Sequence, residues 1–407
     1  MTHKTHNIPG LPPVVCVGFP RWEGSDYLSS TVQLMQALSA YTPVLYVDYP
    51  FTWKDVWQAR RQHRKDIPVA AILDNEQRLQ TNVMPHGGQV HLLRLRPFVP
   101  ANFFKKDSWY DAVTAWNARR AIPVIQQAIR QLGWVAPVVI NAFNPALGRY
   151  LAGKLGESRL VYYCYDEIGA APWIGRHGSR HEVLFLPKVD EVVVTSKGLL
   201  AAKSALNEQC TLVRNGVDLR LFQQKGPRPD DVPSGKVVGY IGSVDSRLDT
   251  LLLEKLAHAL PYVSFVFVGR IMEERSRALL AALPNVRLLG SRPPAQLGSY
   301  LGAFDVGLIP FAYTPLTAGI YPLKVNEYLS QGIPVVSTRF ADMSDFEQVC
   351  TVVDDHEAFI RAVMAYLEQD MPDARTARKA FAAANTWEAR AKELLAVLVN
   401  EPQVVAP

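Results

Sequence analysis

Residues 322–338 read PLKVNEYLSQGIPVVST. This stretch holds a complete helix-to-strand transition of an α/β protein. Pro322 suits a first helical turn, where a missing N–H costs little. The helix is predicted to run from about Leu323 to Ser330 and to stop near Gly332, ahead of Pro334 and a β-branched run that reads as a buried strand. Lys324 and Glu327 stand at i and i+3, on one face near the helix start. Free N–H groups and partial positive charge gather there and attract phosphate. Lys324 adds a full charge, and Glu327 can accept hydrogen bonds from two neighbouring hydroxyls, as on a ribose. Phosphate with a diol suggests a nucleotide. The plain alternative is a surface ion pair worth about a few tenths of a kcal/mol.

The same rhythm extends in both directions. Apolar, β-rich runs occur at 14–19, 44–49, 90–95, 138–141, 160–165, 191–196 and 211–217, and again at 237–242, 263–269, 286–290, 306–311, 333–338 and 349–355. Many are apolar along most of their length, as in parallel strands covered by helices on both faces. Segments with helical spacing separate them. The stretch QQKGPRPDDVPSGK, 223–236, is rich in Pro, Gly and charge and reads as a linker. The expected organisation is therefore a domain over 1–222, the linker 223–236, a second domain over 237–384, and an amphipathic helix within 385–407, capped near Asn385 or Thr386. In such sheets ligands sit beyond the carboxyl ends of the strands, so the loops that follow strands carry the chemistry.

Bulk composition narrows the class only partly. The chain has 407 residues, 48% hydrophobic and 20% charged, with net charge +5. That is ordinary globular composition. The mild positive balance suits small anions, an anionic membrane surface or nucleic acid about equally. No nucleic-acid module or long basic stripe appears, which argues against nucleic acid. Cys16, Cys164, Cys210 and Cys350 are far apart, without CxxC or zinc spacing, and read as free thiols in a reducing compartment. The first residues lack a signal-peptide layout and no run is long enough to span a bilayer, so a cytoplasmic protein is expected, with a peripheral place at the inner face of a membrane left open.

Three stretches together carry a family resemblance. PLKVNEYLSQGIPVV resembles the donor-site signature of the group 1, or family 4, glycosyltransferases. RNGVDLRLF, 214–222, fits that family's Asn-Gly-Val-Asp-x-x-x-Phe at Asn215, Gly216, Val217, Asp218 and Phe222. GYIGSVDSRLD, 239–249, resembles its phosphate-facing loop. GFPRWEGSDY (18–27), YCYDEIG (163–169) and IGSVDSRLD further resemble the subgroup that builds bacterial cell-surface polysaccharides of the teichuronic acid type.

The resemblance implies two Rossmann-like domains facing across a cleft (the GT-B type), with the last helix returning to the first domain. The second domain would hold a nucleotide sugar of UDP, GDP or dTDP type as co-substrate, with no further cofactor. The first would hold a glycan or lipid-linked acceptor. By position, Lys324 neutralises the diphosphate, Glu327 binds the ribose, and the N–H groups of Leu323 and Lys324 cap the phosphates. Gly242, Ser243, Gly319 and Tyr321 line the donor, and Ser291 and Arg292 contact the nucleobase. The chain departs from the family in three places. Gly319 stands where the family has an acid. Ser243 and Asp249 stand where it has Arg and Lys, with Arg247 as the candidate replacement; a loop or capping ion pair is the alternative for Arg247 and Asp249. The family's histidine falls near CYDEIG, where Asp166 and Glu167 could orient a hydroxyl or accept its proton; equally, Asp166 could cap the next segment.

Other stretches stay open. After the first run, Gly18 and Gly24 permit close backbone approach, and Arg21, Trp22 and Glu23 offer charge and a stacking surface on the acceptor side; a Pro/Gly turn with Trp22 packed away is the alternative. His177 and His181, at i and i+4, have metal spacing but no evident third ligand, so a solvated face or substrate loop is expected. No Asp-x-Asp occurs, and no metal site is expected: Lys324, Arg247 and a helix start can stabilise a departing diphosphate. FTWKDVWQARRQHRKD, 51–66, is basic with Trp53 and Trp57 at i and i+4. It could lie on an anionic bilayer, as could the similar stretch 99–121, or both could be solvated helices with core aromatics. The reading is a retaining, metal-independent glycosyltransferase, with Asp166, Glu167, Arg247 and Lys324 as catalytic candidates. A nucleotide-sugar 2-epimerase and a non-catalytic nucleotide-binding partner are the rivals.

Overall fold

The structure is a computed structural model and describes residues 11–23, 29–64, 66–74, 77–171, 174–224 and 226–399. It divides into two compact units, one of residues 1–214 with 390–407 and one of residues 215–389. The stretch read as a linker therefore lies inside the second unit. Local packing accounts for this: Gln331 donates to the backbone oxygens of Phe222 and Gly298, and Arg292 pairs with Asp231.

The first unit is built on an eight-stranded sheet. In chain order its strands are β1 (Val14–Gly18), β2 (Val44–Val47), β3 (Leu79–Val83), β4 (Gln89–Leu93), β5 (Val138–Ala142), β6 (Arg159–Cys164), β7 (Glu191–Val194) and β8 (Cys210–Leu212). Their order across the sheet is β3-β4-β2-β1-β5-β6-β7-β8, parallel except for β3 against β4. β1, β2 and β5 are buried throughout, as parallel strands covered on both faces must be. Each fully buried Val or Leu there contributes about 1.5–3 kcal/mol. The sequence reading missed β3. Its residues LQTNV are partly exposed, and a polar edge strand lacks the apolar run that betrays the others.

The second unit holds a six-stranded, fully parallel sheet of β9 (Val237–Ile241), β10 (Ser264–Val268), β11 (Val286–Gly290), β12 (Val306–Ile309), β13 (Val335–Thr338) and β14 (Thr351–Val353). Its order is β11-β10-β9-β12-β13-β14. The strand order reverses between β9 and β12, and the loops after these two strands form the switch point where α/β sheets take ligands. The last helix, Trp387–Leu398, has its Ala389 N–H bonded to Thr386 Oγ1, and from Arg390 onward it belongs to the first unit.

Candidate functional site

The helix of the opening stretch runs Leu323–Gln331, with Pro322 as its N-cap rather than its first turn. Gly332 ends it in the left-handed conformation, φ +78°, which glycine adopts without strain. Tyr328 fixes the helix to the sheet: its hydroxyl accepts from the Ile241 N–H at 2.9 Å, at the end of β9. No side chain caps the N-terminus; the Val325 N–H bonds the Pro322 oxygen at 3.0 Å, and the Leu323 and Lys324 N–H groups have no partner among the described residues.

Lys324 lies beside Gly242, the residue after β9. Gly242 has φ +145°, and a Cβ there would collide with Lys324 Cε and the Tyr240 hydroxyl. Only a glycine gives the lysine this berth. The ammonium sits 5.7 Å from the Tyr240 ring centre and 5.6 Å from that of Phe311. Arg247 lies over the same Phe311 ring at 5.5 Å and grips Asp245 with two bonds of 2.9 and 2.6 Å. The loop that carries them is stapled down, because Leu248 bridges to Phe311 and the Ala312 N–H bonds to the Arg247 oxygen.

Among the described residues, the side chains of Lys324 and Glu327 have neither hydrogen bond nor ion pair. The surface ion pair considered from spacing is not formed. Both are partly exposed. Burial and then the Arg247 charge bring Lys324 down to about 8, against the pull of Glu327 and Asp245. Burial pushes Glu327 up to about 7, with Lys324 opposing. Two half-desolvated, unpaired charges beside a bare helix start cost free energy unless a ligand completes them.

Of the donor residues expected from sequence, Gly242, Ser243, Arg247, Leu323, Lys324 and Glu327 come together here. The other four lie differently. Tyr321 is buried: its hydroxyl accepts from Asn326 and its ring packs on Phe346, so it supports the helix start. Gly319 closes a buried 3-10 turn, Thr317–Gly319. Arg292 is committed to Asp231 and Tyr300, which occupy the guanidinium. Ser291 is exposed beside it. Asp249 caps the helix Thr250–Ala259 and pairs with His356, and Arg247 pairs with Asp245 in its own loop, so the capping and loop ion-pair alternatives raised for these two residues are both formed. Asp245, Tyr240 and Phe311 went unread; the acid two residues before Arg247 was the available signal.

In the first unit several expectations change. Glu167 is taken up by Lys203, with both carboxylate oxygens 3.1 Å from Nζ. Lys203 also bonds Glu182 at 2.8 Å, and Glu182 accepts from the Tyr162 hydroxyl, so Glu167 belongs to a structural network. Asp166 is partly exposed at the end of β6. His177 and His181 are buried, not solvated. His177 stacks on Tyr110 at 4.0 Å and His181 Nε2 lies 2.9 Å from Asp111. Gly18 is bare because Tyr46 fills the space, reaching the Pro20 oxygen. Trp22 packs on Tyr46 at 5.0 Å, Glu23 pairs with Arg94, and Arg21 lies over Phe51 at 4.9 Å. Gly24 lies outside the described residues. Among the described residues no group of three His, Cys, Asp or Glu side chains could hold a metal ion, and no helix is long and apolar enough to cross a membrane.

Comparison with known proteins decides what kind of domain holds this site. The model of the family described as "Glycosyl transferases group 1" matches residues 235–369. The matched stretch, about a third of the chain, lies within the second unit and contains the whole Gly242–Arg247–Lys324–Glu327 constellation. The glycosyltransferase TuaH of Bacillus subtilis (strain 168), named for teichuronic acid biosynthesis, is 27% identical over 218 residues, 49% of this chain and 55% of that protein. The match thus spans about half the length of that relative. Trehalose-6-phosphate synthase OtsA superposes with TM-score 0.66 at 12% identity, over 95% of this chain and 99% of that one. Anabaena Alr3699/HepE, solved in complex with UDP and glucose, gives TM-score 0.61 at 14% identity, over 97% and 100%. At these identities the likeness is one of fold, the two-sheet GT-B architecture, and the stretch that the family model matches lies within the second unit.

Proposed function

We propose that the protein transfers a sugar from a nucleotide sugar to a hydroxyl of a glycan or glycolipid. The acceptor oxygen attacks the anomeric carbon as the bond from that carbon to the diphosphate oxygen breaks. The nucleoside diphosphate leaves with the bonding pair, and the acceptor proton passes to it or to solvent. Lys324, the bare helix start and Arg247 take up the charge that grows on the leaving diphosphate. Glu327 holds the ribose hydroxyls. The observation that carries this reading is the unpaired Lys324 and Glu327 beside the uncapped helix. The match of the group 1 family supports it, as does the solved complex of a similarly folded protein with UDP and glucose.

Retention of anomeric configuration, independence from metal ions, and a place in bacterial surface-polysaccharide synthesis complete the proposal. The first and last rest on the family resemblance; metal independence rests on the three positive groups facing the leaving group. A cytoplasmic site of action with peripheral membrane contact through 51–66 also belongs to it. The helix Trp53–Arg61 leaves Trp53 and Trp57 half exposed among basic residues, so these aromatics are not core.

A panel of UDP, GDP and dTDP sugars tests the central reading by thermal stabilisation. A ligand at about 100 times its Kd should add roughly 2.7 kcal/mol. Stabilisation by one nucleotide series, followed by acceptor-dependent release of its diphosphate that EDTA leaves unchanged, is the expected result. No response to any nucleotide sugar contradicts it. Epimerised donor without acceptor would favour an epimerase, and tight binding without turnover a binding partner.

A further inference from the structure

Two cations share the Phe311 ring, and the protein braces only one of them. Arg247 bonds Asp245 through Nε at 2.9 Å and Nη2 at 2.6 Å, and its backbone N–H reaches Asp245 Oδ1 at 3.1 Å. Lys324 has no carboxylate within ion-pair reach among the described residues. With Glu327, the pocket therefore carries two positive and two negative groups. An acid in a pocket that takes a diphosphate repels it. Asp245 must contribute something other than affinity.

The carboxylate sits on a fixed support. Just before it, the Val244 N–H bonds the Arg270 oxygen at 2.8 Å, and the Val244 oxygen accepts from the Met272 N–H at 2.9 Å. Just after Arg247, Leu248 bridges to Phe311 and the Asp249 N–H bonds the Pro310 oxygen at 2.8 Å. An arginine side chain has many rotamers, and a two-bond grip from a pinned loop selects one of them. The pair is also largely shielded from water, with side chains 26% and 20% exposed, so solvent screens it less than a surface pair. Burial lowers the Lys324 pKa most. Of the two charges on this loop, Arg247 lowers it by more than Asp245 raises it. The pair thus turns its positive end towards Lys324.

We propose that Asp245 is a positioning residue of the donor site: it aims Arg247 at the diphosphate, and its own charge limits how tightly the departing nucleoside diphosphate is held. A guanidinium already in place needs no reorganisation as charge grows on the leaving oxygen. The opposing carboxylate weakens the hold on donor and product alike, so the aim is kept for the transition state and the product is free to leave. The inference rests on the glycosyltransferase reading and adds to it a residue that acts through Arg247.

Calorimetry with UDP, GDP and dTDP on the full chain tests it. The nucleotide that binds the wild-type chain should bind Asp245→Asn about tenfold more tightly, because the amide keeps an oxygen for the Arg247 N–H and removes the opposing charge. Single-turnover release of that diphosphate from its nucleotide sugars, with water as acceptor, should slow about ten- to a hundredfold as Arg247 loses its aim. Asp245→Glu, which keeps the charge, should leave affinity near the wild-type value and recover part of the rate. Added to Arg247→Met, the Asn substitution should slow release no further, since Asp245 acts through the guanidinium. The alkaline limb of affinity should also move to lower pH in Asp245→Asn. Arg247, Glu327 and Asp245 are the charged groups acting on Lys324, and the variant removes one of the two anions that support its charge. A carboxylate that only braced the loop would give weaker binding at every pH, an unmoved limb and a lower melting temperature. That result, or unchanged affinity, overturns the proposal and leaves the donor reading standing. A wild-type chain that binds no nucleotide overturns both.

Discussion

Two lysines show how the same side chain serves opposite ends in the two units. Lys203, in the first, is buried and held by Glu182 and Glu167. Burial alone would discharge it, but the surrounding anionic groups overcome this and raise its pKa. Lys324, in the second, is partly exposed, lies over two aromatic rings and has no carboxylate within ion-pair reach among the described residues. Burial and Arg247 bring it down to about 8. A buried charge that the protein satisfies holds the fold together. A half-buried charge left unsatisfied is held ready for a partner that is not protein.

The same substitution at both sites should separate these roles. Lys203→Met leaves Glu182 buried without a counter-charge and should cost about 3–5 kcal/mol of stability, read by denaturant unfolding. Lys324→Met should leave stability unchanged or slightly raised, because it removes an uncompensated charge, while turnover falls about 10²–10³-fold. Matching losses of stability in the two variants would break the comparison.

The next effect in size concerns Glu327. Glu327→Ala should weaken nucleoside diphosphate binding by about 1.5–3 kcal/mol, the range of hydrogen bonds to a charged group, with little change in melting. Equal affinity in the variant would show that the carboxylate holds no ligand.

A pH series sharpens the same point. Binding needs Glu327 ionised and Lys324 protonated, so affinity should be greatest between their values of about 7 and about 8. It should fall below that window as Glu327 takes a proton and above it as Lys324 loses one. A bound diphosphate favours the charged lysine, so binding above pH 8 should take up a proton, measurable by calorimetry in buffers of different ionisation heat. Flat affinity across this range would contradict the assignment. The smallest effect is expected at Gly242. Gly242→Ala would displace Lys324 and strain φ +145°, lowering donor affinity about tenfold or less while the sheet persists.

The fold was legible where local chemistry determines it. The strands buried on both faces appear in the sequence as apolar runs, and Gly332 marks the helix end as a left-handed cap. β3 was not legible, because an edge strand with polar residues resembles a loop. At the site, the Lys324 and Glu327 spacing and the loop around Arg247 could be read, since each lies within a few residues of its neighbours. Partners far away in sequence could not. Asp231 for Arg292, Lys203 for Glu167, and Asp111 for His181 are brought together only by tertiary packing. For that reason Glu167 and Arg292 read as free functional groups, although folding gives them protein partners.

The most direct measurement is a crystal structure of the protein soaked with the nucleoside diphosphate that stabilises it most. The account predicts the pyrophosphate within hydrogen-bond distance of the Leu323 and Lys324 N–H groups and the Lys324 ammonium, with the ribose hydroxyls on Glu327. A diphosphate bound anywhere else, with Lys324 and Glu327 untouched, would contradict it.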